Sequence, residues 1–378
     1  MYHPGLVLRR GNHWRQVLLL AAALTAVLGG MILWLARPLG VLERGEIRNA
    51  PQAGSSIPAG QRIDTASTAI SLVSQQKWDV GNPWFSPDGA SFFALINGSG
   101  LVVGSSDGSG ARVLDPNAIG AAWVPDSTAL TVAVGDRSAT SGQIALYTEA
   151  LDGSSKSRLT AQTDAPGLMQ VVSAAGEVAY LSGTSLHMMS VGTRADTVAQ
   201  GVTIDRDPTN DEPYSIAPDG KFVALMQGTT VSVTDLATGV SRRLTSAIDG
   251  RRWAPYSWSS DGLKLAYADV SSNGFPEIVV YDRQTQSSTV VMTANQHGIY
   301  AGISWSPTGG WLVFAFHPAG NAPEDGASYQ AINVSSGVHS ILFTSGVGLR
   351  LSPDGHRITF TRTVDPSRRG SWVASLSY

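Results

Sequence analysis

The chain of 378 residues contains no cysteine. That excludes disulfides, thiolate nucleophiles and Cys-ligated zinc or iron–sulfur centres together, and it is compatible with an oxidising compartment. Charge is also scarce. Charged residues make up 15% of the chain, against about 25% in typical soluble domains. A net charge of -3 excludes a nucleic-acid binder that relies on bulk positive charge. The one G-x-S-x-G string, Gly104 to Gly108, opens no helix and so is no nucleophile elbow, and no H-E-x-x-H pair occurs. What is plentiful is turn chemistry, with Gly 41 and Pro 19, and apolar side chains, at 43%. These are the means of a folded chain with many tight turns rather than a disordered one.

One long apolar run, VLLLAAALTAVLGGMILWLA from Val17 to Ala36, is ended by Arg37 and Pro38. About 20 helical residues span about 30 Å, the thickness of a bilayer's hydrocarbon core. A cleaved signal has only about 7–15 apolar residues, so this run reads as an uncleaved anchor. Trp14 and Trp34 lie near its two ends, where indoles favour the headgroup layer. Arg9, Arg10 and Arg15 precede the span, and Arg37, Arg44 and Arg48 follow it. The charge tally is therefore tied. The short, purely basic leading tail favours residues 1–16 in the cytoplasm and everything after the span outside it. Ala22, Ala26 and Gly30 form a small-xxx-small face through which a weak homodimer is conceivable. Residues 37–62 mix Pro, Gly, Ser and charge with no apolar period, and read as a tether.

From residue 63 onward the sequence repeats itself. WFSPDGASFFAL from Trp84, AWVPDSTALTVAV from Ala122, SIAPDGKFVALM from Ser215, SWSSDGLKLAYA from Ser257, SWSPTGGWLVFAF from Ser304 and RLSPDGHRITFT from Arg350 share one pattern. A worn copy starts at Val171. The period is about 44 residues, that of four-stranded propeller blades. Two residues before each turn stand Phe85, Trp123, Val172, Ile216, Trp258, Trp305 and Leu351, all apolar, as an inner strand packed between blades requires. The turn residues are Pro87, Asp88, Gly89; Pro125, Asp126; Pro218, Asp219, Gly220; Asp261, Gly262; Pro307, Gly309; and Pro353, Asp354, Gly355. Proline pre-sets φ, aspartate bonds its own backbone, and glycine accepts φ > 0. The seventh unit ends one strand short at Tyr378, while Thr65–Gln75 is a strand-like stretch without a blade. If that stretch fills the vacancy, the ring closes through its termini and exposes no inner edge. The expected fold is therefore all-β, a seven-bladed propeller over 63–378 preceded by one transmembrane helix. Six or eight blades stay open because the third copy is weak.

The [W/I/L]-S-P-D-G turn, its following apolar strand and the D-G…L-T element from Asp152-Gly153 to Thr160 resemble the TolB-type, WD-repeat-like propeller family. The resemblance covers residues 63–378. A membrane span in place of a cleaved signal, and a tether in place of an amino-terminal α/β domain, set this chain apart within it. The resemblance implies a rigid scaffold with a ligand at the channel, a short peptide among the candidates.

The repeated aspartates read as structural, and the seven histidines (His3, His13, His187, His297, His317, His339 and His356) as scattered. The glycine-rich stretch Gly104–Gly110 reads as a hairpin turn, and the acidic stretches Asp205–Glu212 and Glu324-Asp325 as solvated loops. One irregularity breaks the repeat. Three residues before the turn most copies carry a small residue (Ala122, Ser215, Ser257, Ser304), but the first has Trp84 and the seventh Arg350. Ring closure makes those blades neighbours, so the two side chains would offer a cation and an aromatic face to a ligand, or simply pack the seam. The expected protein is non-catalytic, without a cofactor, binding an envelope or membrane protein and the bilayer through residues 17–36. The alternative is a hydrolase or lyase acting on a polysaccharide or lactone.

Overall fold

The computed structural model describes residues 70–78, 83–124, 126–135, 144–159, 165–172, 176–204, 213–245, 256–320, 327–362 and 368–377, with backbone only at 76, 78 and 165–172. The basic tail, the span at 17–36, the tether, Pro125, Thr160, Asp205–Glu212 and Glu324-Asp325 lie outside the described residues. Among the described residues no helix is long and apolar enough to cross a membrane.

Within the unit Asp64–Tyr378, seven four-stranded antiparallel sheets follow one another. This settles the blade count. The first strands of the blades are Trp84–Phe85, Ala118–Trp123, Ala165–Val172, Tyr214–Ile216, Tyr256–Trp258, Gly298–Trp305 and Val347–Leu351. First strands of blades 2 to 7 lie against one another in succession, and with that of blade 1 they surround a common axis and line a central channel. The worn third copy forms a complete blade, with strands Ala165–Val172, Glu177–Ser182, Ser185–Ser190 and Asp196–Thr203.

Blade 7 is closed by the amino-terminal strand. Its order is Ser71–Trp78, Gly370–Ser377, Arg357–Arg362, Val347–Leu351. Residues 65–69 of the expected stretch Thr65–Gln75 lie outside the described residues; the described strand runs past Gln75 to Trp78, because its register is set by the partner, with Ser71 opposite Ser377 and Trp78 opposite Ser371. Ile70, just ahead of it, is 1% exposed in the core between blades 6 and 7. Arg362 is buried, donates from Nη2 to Gln75 Oε1 at 2.8 Å and covers the Trp372 ring at 4.6 Å. It ties the closing strand to the blade it completes.

The repeat motif builds each first turn. In blade 1 the Gly89 amide donates to Ser86 O at 2.8 Å, and Gly89 has φ +71°, a type I turn followed by a left-handed residue. Blade 2 puts Ser127 there at φ +62°, where its hydroxyl accepts the Asp88 amide of blade 1 at 3.1 Å. The turn aspartates all cap their own turns: Asp88 takes the Ala90 amide, Asp126 the Thr128 amide, Asp219 the Lys221 amide, Asp261 the Leu263 amide and Asp354 the His356 amide. The Ser259 hydroxyl and the Leu263 amide hold Asp261 below the ordinary aspartate range. Asp88 and Asp126 are lowered in the same way, led by the hydroxyls of Ser86 and Thr128. A folded-state value below the unfolded one means stability that is present above about pH 4 and lost as pH falls through the depressed value. Thermal melts between pH 7 and 3 should therefore show an acid limb that Asp261→Asn makes shallower.

The inner strands are stapled from blade to blade. Trp123 Nε1 donates to Trp84 O at 3.2 Å, Trp258 Nε1 to Ser215 O at 3.0 Å, and Trp305 Nε1 to Ser257 O at 2.9 Å. Each time the indole two residues before the turn reaches the carbonyl three residues before the turn in the preceding blade. Blade 4 has Ile216 instead, and there Tyr214 Oη donates to Ala179 O of blade 3 at 3.2 Å. A backbone carbonyl is thereby satisfied at each of these seams.

Candidate functional site

The residues two before the turn are buried in blades 1, 2, 4, 5 and 6, while those three before it are half-buried in blades 1, 4, 5, 6 and 7. On a strand next to the axis, this alternation puts the second set at the channel edge of each seam. Among the residues whose side chains are described, that level holds Trp84, Ser215, Ser257, Ser304 and Arg350, with a buried Ala122 at the equivalent place in blade 2.

The two odd members meet. The Arg350 guanidinium carbon lies 4.0 Å from the centroid of the Trp84 ring. Trp84 in turn stacks on Phe93 at 5.1 Å and 10°, and Phe93 tilts against Trp123 at 5.8 Å. The Trp123 indole also holds the Trp84 carbonyl, so blade 2 fixes the surface on which an arginine from blade 7 rests. Register between the first two strands of blade 7 skips between Val347 and Arg350, where Gly348 has φ +72°. Blade 6 repeats the device with Gly302 at φ +57° and a skip between Ala301 and Ser304. A bulge at this place re-aims the side chain that follows it. The pairing was legible in the sequence. Phe93 and the bulge ahead of Arg350 were not singled out, and Trp123 was read only as an apolar inner-strand residue, although Gly two residues ahead of Ser304 and Arg350 was visible.

Two further groups escape a reading of motifs. At the seam of blades 1 and 2, Lys156 pairs with Asp115 and lies 3.3 Å from Glu149 Oε2. Its ammonium also covers the Tyr147 ring at 4.9 Å. Both carboxylates are buried, at 4% and 6% exposure. Burial pushes Glu149 above the ordinary glutamate range against the opposing pull of Lys156. In blade 3, Tyr180 Oη donates to Asp196 Oδ2 at 2.7 Å, and His187 Nδ1 lies 3.2 Å from both oxygens of the same carboxylate. The tyrosine and histidine rings stack at 5.0 Å. Burial, then the bond to Asp196, raises the Tyr180 hydroxyl above its usual range. Tyr180 belongs to the core shared with blade 2, so this group fastens strands of one blade. Among the described residues no three His, Cys, Asp or Glu side chains come together as a metal ion would need.

No family model matches the sequence, and no curated protein matches it. Solved structures do match in fold. An oligogalacturonate lyase from Vibrio parahaemolyticus aligns with a TM-score of 0.57 at 11% identity, over 83% of this chain and 95% of that one. The propeller domain of Swd1 from Myceliophteria thermophila aligns with a TM-score of 0.53 at 10% identity, over 82% and 100%. TolB from Acinetobacter baumannii matches with a TM-score of 0.42 at 14% identity, over 78% of this chain and 63% of that one. The chain thus spans less than two thirds of that TolB chain. At such identities the likeness is one of fold, shared by enzymes and non-enzymes alike.

Proposed function

We propose that this chain is a single-pass membrane protein that displays its propeller outside the cytoplasm, where the ring acts as a non-catalytic, protein-binding scaffold. The observation that carries this reading is the channel-edge contact in which Arg350 rests on a braced Trp84, at a level where blades 4, 5 and 6 place Ser215, Ser257 and Ser304. Recognition residues on a rigid frame at a concave mouth are the usual form of a binding site. The apolar run Val17–Ala36 and the tether after it support attachment to a membrane. The outermost strand of blade 7 runs antiparallel to the first strands, so the chain enters the ring at the rim that carries the Pro-Asp-Gly turns. The opposite rim carries the connections between blades.

Affinity capture from detergent-solubilised membranes tests this with tagged full-length protein and two variants. Wild type should retain a defined envelope protein. The pair Trp84→Ala and Arg350→Gln should lose it, and Val290→Lys on the exposed outer strand of blade 5 should keep it. Protease added to intact cells should cleave the propeller's tag. Turnover of an oligosaccharide or lactone by the purified protein, with no retained partner, would contradict the reading.

A further inference from the structure

We infer that Asn97 is a self-modifying site: its side chain cyclises onto the Gly98 backbone nitrogen and opens to isoaspartate, and the lengthened hairpin loosens the seam of blades 1 and 2. The inference stands apart from the binding reading above and needs no partner.

The chain has two Asn-Gly dipeptides, Asn97-Gly98 and Asn273-Gly274. A glycine after asparagine has no Cβ to obstruct the side-chain carbon that approaches its nitrogen. Sequence and exposure treat the two alike. Both are exposed, and both sit in hairpins between the second and third strands of a blade. In blade 1 these strands are Ser91–Ile96 and Gly100–Ser105, and in blade 5 Lys264–Val270 and Pro276–Asp282. Hydrogen bonds separate them. In blade 5 the Gly274 amide closes the turn, donating to Ser271 O at 2.9 Å. The Phe275 amide donates to Ser271 Oγ at 3.0 Å, and the Ser271 amide to Phe275 O at 2.9 Å. The nitrogen that would attack Asn273 is thus held by its own proton. In blade 1 the turn is closed one residue later, by the Ser99 amide on Ile96 O at 3.0 Å, with Gly98 at φ +85°. That is the type II arrangement, in which the N–H between the two central residues makes no turn bond. Among the described residues no acceptor meets the Gly98 N–H and no group holds the Asn97 side chain. Bringing the two together at Asn97 opposes one turn bond. At Asn273 it must first break the bond of the reacting group itself.

The step needs no reagent but water. The Gly98 nitrogen bonds to Asn97 Cγ, the Cγ–Nδ2 bond breaks, and the Gly98 amide proton leaves with Nδ2 as ammonia. Water then opens the five-membered imide. Opening at Cγ gives aspartate, while opening at the main-chain carbonyl carbon gives isoaspartate, whose backbone runs through Cβ and Cγ. The second product inserts a carbon into the main chain of the loop 97–99 and adds a carboxylate to the rim opposite the Pro-Asp-Gly turns. Loop length fixes the register that sets Ile96 opposite Gly100, and Gly100 has no room to slip. A Cβ there would stand 2.6 Å from Pro116 Cα and nearer still to Asp115 O. Asp115 holds Lys156 of blade 2, so the inserted carbon is felt at the seam.

The test is peptide mapping of full-length protein in detergent, aged at mildly alkaline pH, beside the same protein unfolded in urea. Conversion shows as the mass change from amide to carboxyl, and chromatography separates isoaspartate from aspartate. In the native protein Asn97 should convert at least about tenfold faster than Asn273, with isoaspartate the larger product. In urea the two sites should convert at like rates. Asn97→Gln, whose cyclisation would need a six-membered ring, should stay intact and keep its thermal midpoint on ageing while that of wild type falls. Like rates at the two sites in the native protein, conversion at Asn273 first, or aspartate alone at Asn97 would overturn the modification. A fully converted wild type that melts with the fresh protein would overturn its link to the seam.

Discussion

Trp305→Ala is expected to lower unfolding stability by about 3–5 kcal/mol, read as a fall in the thermal midpoint of the propeller. The indole is 8% exposed and packs with Ala266, Ala268, Ile278 and Val280 of blade 5 and with Leu312 and Phe314 of blade 6. Truncation removes its apolar area and leaves a cavity that two facing sheets cannot close without shifting against their other neighbours. It also orphans the Ser257 carbonyl, which the indole N–H satisfies at 2.9 Å. Trp305→Phe separates the two effects. The ring stays but the donor goes, and about 1–3 kcal/mol, the cost of a buried acceptor left unmade, should remain. Domains of this kind are stable by about 5–15 kcal/mol in all, so the alanine variant gives up a large part of that margin. A loss below about 1 kcal/mol for Trp305→Ala would mean that the seams are not held by these residues.

The second large effect lies at the closure of the ring. Ser74 and Ser375 stand opposite each other on the closing strand and its partner. Opposed Cα atoms in such a ladder lie about 4.5–5.5 Å apart, within the span a disulfide bridges. Replacing both by cysteine is close to isosteric, and with no native thiol in the chain no competing pairing arises. The bond would join residues at the two ends of the propeller sequence. Chain-entropy arguments give about 5 kcal/mol for so long a loop, so the oxidised protein should melt well above its own reduced form. The gain is large because the loop is nearly the whole domain, while the strand it fastens already rests on Ile70, Gln75 and Arg362.

How far the sequence led depends on the range of each interaction. The blades were legible because their turns are local. Ser-Pro-Asp-Gly carries its own φ preferences and its own hydrogen bonds, so six copies announced themselves. The worn copy kept its apolar strand Glu177–Ser182 without the turn. The vacancy in blade 7 was legible by counting, but the end of the strand that fills it, at Trp78 rather than Gln75, was not. No Gly, Pro, Asn or Asp lies between Thr65 and Trp78, and pairing of Trp78 with Ser371 sets the limit instead. The Trp84–Arg350 contact showed through because both residues break the repeat at one position. The Asp115–Glu149–Lys156 and Tyr180–His187–Asp196 groups stayed hidden because they depend on register. Asp115 meets Lys156 only when blade 1 lies against blade 2. Likewise, Tyr180 and His187 are opposed only when the strands Glu177–Ser182 and Ser185–Ser190 pair as they do.

The whole account requires that the first strand after the tether complete the last blade of the same molecule. The direct measurement is the mass of the oxidised Ser74→Cys, Ser375→Cys protein, with its cross-linked peptides, under non-reducing conditions. A monomer carrying a single internal bridge between those two positions is the expected result. Free thiols on both strands, or bridges found only between two copies, would contradict a ring closed by its own termini.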